Sequence, residues 1–381
     1  MVNDFLHSSY AYEKSERNFK SYCATEFGID IVYLFLIPDV EERFLKSFVT
    51  AFEIVNREIP FCFGSVKPVM THFLNSEQGV VPSFRPGELF NGKVNYPDSA
   101  LLNCDEIVSK SMTAVKELLL NSCSFESLFI TLENYCTYFS VDDGVTSFFE
   151  FLKLKAGHAS IILHQLMKNM KERALLICSF DFLGIKDFKF AECLKNDLCL
   201  MQTASLYIDI FRENVLDEFF DYIGLTRANI VFTGGRHIHM YLPFFDGVEH
   251  MIDSFIKSLN DWCVDNHKVE LYVSYGYVKT TVNDLRSFHK PDNYYLRLFE
   301  MIASIKAEVE SAKYTPDNIH SINAKNRMYA SEGVQMAFVD QLAALHRYYC
   351  DCGCAGVDII SSDEGIPIFP GQYISLKKVP Y

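Results

Sequence analysis

ALLICSFDFLGIKDF (residues 174–188) and NIVFTGGRHIHMYLP (residues 229–243) are the two stretches whose reading decides the fold of this chain. The first is a near-continuous apolar run, the pattern of a central strand covered on both faces. It runs out at Asp181, and Gly184 lets the chain turn toward a helix without a side-chain clash. The second holds two short strands around Gly234 and Gly235, which is how a tight hairpin announces itself. Beyond the glycines, Ile238, Met240 and Leu242 alternate with His237, His239 and Tyr241, so one face is written for a core and the other is polar.

Working outward, residues 189–222 are long enough for one helix or two, and DGVEHMIDSFIKSLNDWCVDN (246–266) is an amphipathic helix with an acidic first turn that suits its dipole. VELYVSYGYV (269–278) reads as a closing strand. Strand, helix, strand, strand, helix, strand is the split βαβ order, so we expect an α+β chain with a ferredoxin-like (βαββαβ) palm at residues 174–280. Residues 1–78 read as a mostly helical region, and residues 79–173 as a proline- and glycine-bearing linker followed by helices. The best helix of the first half is SFFEFLKLKAGHASIILHQLMKNM (147–170). Residues 281–349 are again helical, and residues 350–381 form a small Cys-containing tail ending in a β-like segment.

A hydrophobic fraction of 49% over 381 residues allows each region a core. The formal charge of −14 argues against wrapping nucleic acid over most of the surface, because phosphate binding draws on clustered Lys and Arg. Lys153 and Lys155, with Lys168 and Lys171, form a local basic cluster that reads either as a solvated helix face or as a contact with RNA or an acidic partner. The N-terminus lacks the pattern of a secretory signal and no apolar run is long enough to span a bilayer, so a cytoplasmic location with reduced thiols is expected.

A nucleotide-transferring palm needs paired carboxylates to hold metal ions, one at the first strand and others in the hairpin. Asp181 is a candidate for the first, and reads equally as a capping or turn residue. Arg236 and His237 stand where the hairpin acids would be, and they are not the hard oxygen ligands Mg²⁺ prefers. A nucleotide-binding reading remains: Arg236 pairs a phosphate while Gly184, Gly234 and Gly235 let backbone N–H groups approach the anion, with Asp181 and His237 beside them. The alternative is a plain hairpin with an exposed arginine. Cys350, Cys352 and Cys354 form a C-x-C-x-C run that suits zinc or stands as unliganded thiols.

These stretches resemble the large subunit of type III CRISPR effector complexes, the multidomain CRISPR polymerase or cyclase subunit. ALLICSFDFLGIKDF resembles that family's D-I-S-G-I-Q-x-F segment, and NIVFTGGRHIHMYLP its GGGHFYLLLP hairpin. SFFEFLKLKAGHAS is similar to the family's SLYDHLKTTAAIA helix, and the Cys cluster with PIFPGQYISL resembles its zinc module. The resemblance runs over roughly residues 79–381. It implies a scaffold contacting the guide-RNA-capping subunit, the small and backbone subunits and guide or target RNA, with ATP and Zn²⁺ as the cofactors in question. The departures are as informative: there is no His-Asp dipeptide of the HD nuclease, no GGDD palm, and Arg236 replaces the third glycine of the hairpin. The resemblance therefore implies a reduced or split form without catalysis of its own, or the palm partner of a separately encoded GGDD chain that makes cyclic oligoadenylate. A degenerate cyclase-like nucleotide sensor is the reading free of the family.

Overall fold

The computed structural model describes residues 45–58, 67–68, 113, 129–133, 139–140, 148–170, 173–189, 197–267, 271–281, 300, 303–304, 307, 342–345, 359–361 and 365–375. Most of the helical region expected at 281–349, and the Cys350, Cys352 and Cys354 run, lie outside these residues. The chain divides into two compact units, one comprising Met1–Arg173 with Leu225–Asn229, the other Ala174–Gly224 with Ile230–Tyr381.

In the first unit, helices α1 (Leu45–Glu58) and α2 (Phe148–Met167) pack together, and a two-stranded ladder joins β1 (Lys67–Pro68) to β2 (Phe139–Ser140). Glu58 ties the helices through His158 Nε2 and also holds Arg173 Nη1, both at 2.9 Å. The short turn Arg227–Asn229 lies on α2 at Gly157, where a Cβ would come within 2.7 Å of the Ala228 carbonyl oxygen. The absent side chain lets Asn229 donate to the Gly157 carbonyl at 3.2 Å while the buried Ser160 hydroxyl bonds Asn229 Oδ1 at 2.9 Å.

The second unit is built on β3 (Ala174–Leu183), buried along its whole length. A short helix α3 (Ile185–Lys189) follows, then α4 (Leu198–Ile223), β4 (Ile230–Gly234), β5 (His237–Pro243), α5 (Val248–His267) and β6 (Tyr272–Thr281). The sheet order is β4-β5-β3-β6, antiparallel throughout, so the first strand in sequence lies inside the sheet. Asp197 caps α4 through the amides of Cys199 and Leu200, and Gly224, at φ 80°, ends it in the left-handed conformation.

Pleating sends Cys178, Phe180 and Phe182 of β3 to one face with Ile238, Met240 and Leu242 of β5. Phe180 meets Phe219 edge-on at 4.8 Å and Phe182 meets Phe211 at 6.1 Å, placing α4 on that face. Phe219 meets Phe255 of α5 at 5.2 Å. Asn260 of α5 accepts from the Val273 amide and donates to the Val273 carbonyl, closing that stretch of the β6 edge to further strand pairing.

A small sheet, β7 (Ile359–Ile360), β8 (Ile366–Phe369) and β9 (Gln372–Ile374) in the order β7-β9-β8, packs on α4 and α5. The buried Tyr207 hydroxyl donates to the Pro367 carbonyl at 2.7 Å, Phe369 stacks on Phe255, and Gln372 links Asn214 to Glu218. The β-like segment expected in the tail is thus the outer cover of the helical layer.

Candidate functional site

The second face of the sheet is polar at one end. Register places Ser179 opposite His239 of β5 and Gly276 of β6, and Asp181 opposite His237 and Ser274. Ser179, Asp181, His237, His239 and Ser274 therefore share one face on three adjacent strands. Asp181 is not at a strand end: β3 continues to Leu183, so its carboxylate is a strand side chain and not a helix cap. Its side chain is only 4% exposed, and it is met by a cation from the hairpin.

That cation is Arg236. Its Nε lies 2.9 Å from Asp181 Oδ1, and His237 Nδ1 lies 3.4 Å from the same oxygen. Arg236 is 46% exposed, and the same Nε that meets Asp181 lies 3.4 Å from His237 Nε2. The Arg236 carbonyl also accepts from the Phe182 amide at 3.0 Å, fastening the hairpin to β3 through backbone as well as charge.

The two glycines have different reasons. Gly235 has φ +58° with open space where a Cβ would stand, so conformation alone demands glycine there. Arg236 keeps a negative φ, and the sign pattern over the two turn residues is that of a type II′ hairpin, matched to the strand twist. Gly234 lies beneath the Phe232 ring: a Cβ would approach Phe232 Cζ to 2.4 Å, so the ring would have to swing aside. The same ring is 53% exposed and stacks on His239 at 5.8 Å. The backbone approach expected at Gly234 is thus roofed by an aromatic side chain, leaving Gly235 as the open glycine of the pair.

Arg212 of α4 pins the turn from the helical side, donating from Nη1 to the Gly235 carbonyl at 2.6 Å, with Glu213 steadying its other terminal nitrogen at 3.2 Å. Burial first, and the neighbouring His237 second, hold the His239 pKa below the ordinary imidazole value.

The structure brings together Asp181, Gly234, Gly235, Arg236 and His237. Gly184, at φ 81°, sits at the turn from β3 into α3, where its carbonyl accepts from the Phe188 amide. Lys153 and Lys155 lie on α2 in the other unit. Lys153 is committed to Glu150 at 2.8 Å and lies over the Phe149 ring, and Lys155 is fully buried with its ammonium over Phe151. A contact with RNA or a partner through Lys155 requires uncovering it. Among the described residues no group of three or more His, Cys, Asp or Glu side chains is placed to hold a metal ion. Phe232, Arg212 and Ser274 carry no signal in the sequence, because each matters through strands or helices that only folding brings alongside the hairpin.

With this geometry in place, comparison with known proteins is informative. The family described as "Csm1 subunit domain B" matches residues 174–325. The chain is related to the large subunit of type III-A CRISPR effector complexes. A curated relative from Mycobacterium tuberculosis, "CRISPR system single-strand-specific deoxyribonuclease Cas10/Csm1 (subtype III-A)", is 24% identical over 279 residues, covering 64% of this chain and 34% of the relative. The Streptococcus thermophilus protein of the same description is 26% identical over 212 residues, covering 52% of this chain and 28% of the relative. The chain thus spans about a third of the length of these curated relatives. Among solved structures, Csm1 of T. onnurineus superposes with a TM-score of 0.52 at 20% identity, covering 68% of this chain and 38% of that one. A Csm1-Csm4 cassette in complex with pppApApA gives 0.54 at 19% identity, with 70% and 39% covered. These likenesses establish a shared α+β fold with an antiparallel sheet.

Proposed function

We propose that this chain is a scaffold of a type III-A-like CRISPR effector complex, carrying a ferredoxin-like palm that holds a nucleotide phosphate without supplying metal-binding acids. One observation carries the reading: the only acid of the polar sheet face, among the described residues, is paired through Nε with Arg236 from the hairpin, whose side chain is half exposed. A guanidinium oriented by a buried carboxylate is a preorganised phosphate donor. Gly235, with its open left-handed backbone, and His237, half exposed beside it, complete the surface. Asp181 acts as the positioning residue and Gly184 as the turn that ends β3.

In this reading the chain is cytoplasmic and assembles with the guide-RNA-capping subunit, the small and backbone subunits, and guide or target RNA. The ferredoxin-like assignment rests on the β4-β5-β3-β6 order together with two helices packed on one face. Zinc at Cys350, Cys352 and Cys354 belongs to the same proposal. A second reading is favoured by the pppApApA-bound Csm1-Csm4 cassette of the same fold: the palm pairs with a separately encoded GGDD chain, which brings the metals for cyclic-oligoadenylate synthesis.

The test is copurification of the chain with the products of its operon, RNA sequencing of what is retained, and ATP binding by the native chain and by R236A and D181A. Retention of guide RNA and its subunits, with ATP binding weakened in both variants, is the expected result. Failure to join any guide-RNA complex overturns the scaffold, and ATP binding indifferent to both substitutions overturns the nucleotide site. Oligoadenylate made by the isolated chain with Mg²⁺ or Mn²⁺ contradicts a non-catalytic palm.

A further inference from the structure

The hydroxyls of Ser179 and Ser274 are fully buried and have no hydrogen-bond partner among the described residues. Native folds rarely leave buried hydroxyls this way, so two such groups in one place ask for an explanation. They are neighbours on the polar face. Ser274 lies directly across the ladder from Asp181, and Ser179 is two residues before Asp181 on the same strand, opposite Gly276, which puts no side chain on that face. Two hydroxyl oxygens thus flank one carboxylate, and all three are hard donors of the kind that ligate Mg²⁺ or Mn²⁺. The positive charge actually present is the Arg236 guanidinium, which reaches in from the hairpin to Asp181 Oδ1.

We infer that Ser179, Asp181 and Ser274 form a latent divalent-cation site that the side chain of Arg236 plugs. The guanidinium satisfies the charge of Asp181 and leaves the two serine hydroxyls unanswered, because a planar fork engaged through Nε at one oxygen does not span three donors on two strands. A small cation, which takes oxygen ligands from several directions, suits donors placed on two strands. The plug is a guanidinium, a group that holds its charge across the ordinary pH range. It is set on a two-residue turn whose position Arg212 fixes, and it leaves only if the hairpin moves or the residue changes. The inference concerns the cation alone and stands whether or not Arg236 takes a nucleotide.

The experiment is Mn²⁺ binding to the full chain, followed by electron paramagnetic resonance at pH 8, where an ordinary imidazole is neutral, with no nucleotide present. R236Q removes the charge and is expected to bind one Mn²⁺ at least about tenfold more tightly than the native chain, since a nearby unit charge of like sign is removed. Adding D181N to R236Q abolishes that binding, and adding S274A weakens it. R236D, which places a second carboxylate at the hairpin, binds more tightly than R236Q. Equal Mn²⁺ affinity in the native chain and R236Q overturns the plug. A folded R236Q, by its melting curve, that takes up no Mn²⁺ dependent on Asp181 overturns the site. R236M, which keeps the aliphatic stem, repeats both comparisons should R236Q not fold.

Discussion

Arg236 Nε stands 2.9 Å from Asp181 Oδ1, joining a half-exposed hairpin residue to a carboxylate that is all but buried in the centre of the sheet. The two are 55 positions apart in the chain, separated by α4 and β4, and meet because β5 pairs with β3 in a register that sets Asp181 opposite His237. A single buried acid is costly without a counter-charge, and the hairpin provides one.

Removing the cation alone therefore destabilises the fold more than removing both charges. R236M is expected to cost about 1–3 kcal/mol, because it takes the guanidinium away from the buried Asp181 carboxylate. D181N in the R236M background recovers part of that loss. Urea denaturation of the two single variants and the double variant checks the order, and a double variant as unstable as the sum of the singles contradicts it.

The glycines separate cleanly. G235A forces a Cβ into the left-handed region and should lose about 1–2 kcal/mol. G235N loses less, since asparagine tolerates that conformation. G234A meets only the far end of an exposed phenylalanine, which swings aside, so its expected cost is below about 1 kcal/mol. Its signature is local instead: the Phe232 ring leaves His239, visible as a change in the His239 ring resonances.

His239 gives the stability a pH dependence of known sign. Its pKa is lowered from 6.5 in the folded chain, so the unfolded chain binds the proton more readily. Stability is full above pH 6.5 and declines as pH falls from there through the lowered folded value. H239Q should flatten this part of the profile relative to the native chain when denaturation midpoints are compared at pH 8 and pH 5.5. Parallel profiles for the two proteins would show that His239 is not desolvated.

The C-terminal sheet is part of the core of the second unit. Tyr207 is fully buried and its hydroxyl is spent on the Pro367 carbonyl. Y207F should cost about 1 kcal/mol for the lost hydrogen bond, and Y207A about 3–5 kcal/mol for the cavity. Protease cleavage between residues 340 and 375 should accelerate in Y207A and change little in Y207F.

Much of the second unit is legible along the chain. Alternation in HIHMYLP gives the two faces of β5, and the continuous apolar run from Ala174 gives a strand covered on both sides. Elements that carry their own period, cap or turn residue announce themselves, as Gly235 and the amphipathic α5 do. The closing strand is displaced, occupying Tyr272–Thr281 where residues 269–278 are expected, because its ends are set by pairing with Ala174–Leu183 and not by its own composition. The role of Ser179 illustrates a deeper gap. Its hydroxyl adds nothing in the sequence and becomes notable only when Ser274, 95 positions later, is brought to the neighbouring strand and both are closed from water.

The glycine hairpin, the absence of acids after it and the βαββαβ order of elements are properties of the sequence by itself, since each depends on local conformational preference and on which side chains are present. What the hairpin does with its arginine belongs to the tertiary structure. Only the β3-β5 register turns Arg236 from an exposed cation into the counter-ion of Asp181, and only the packing of Phe232 turns Gly234 from an open phosphate cradle into the floor beneath an aromatic ring. Charge pairing and ring packing act over a few ångströms in space, and a linear sequence does not record which distant residues come within that reach.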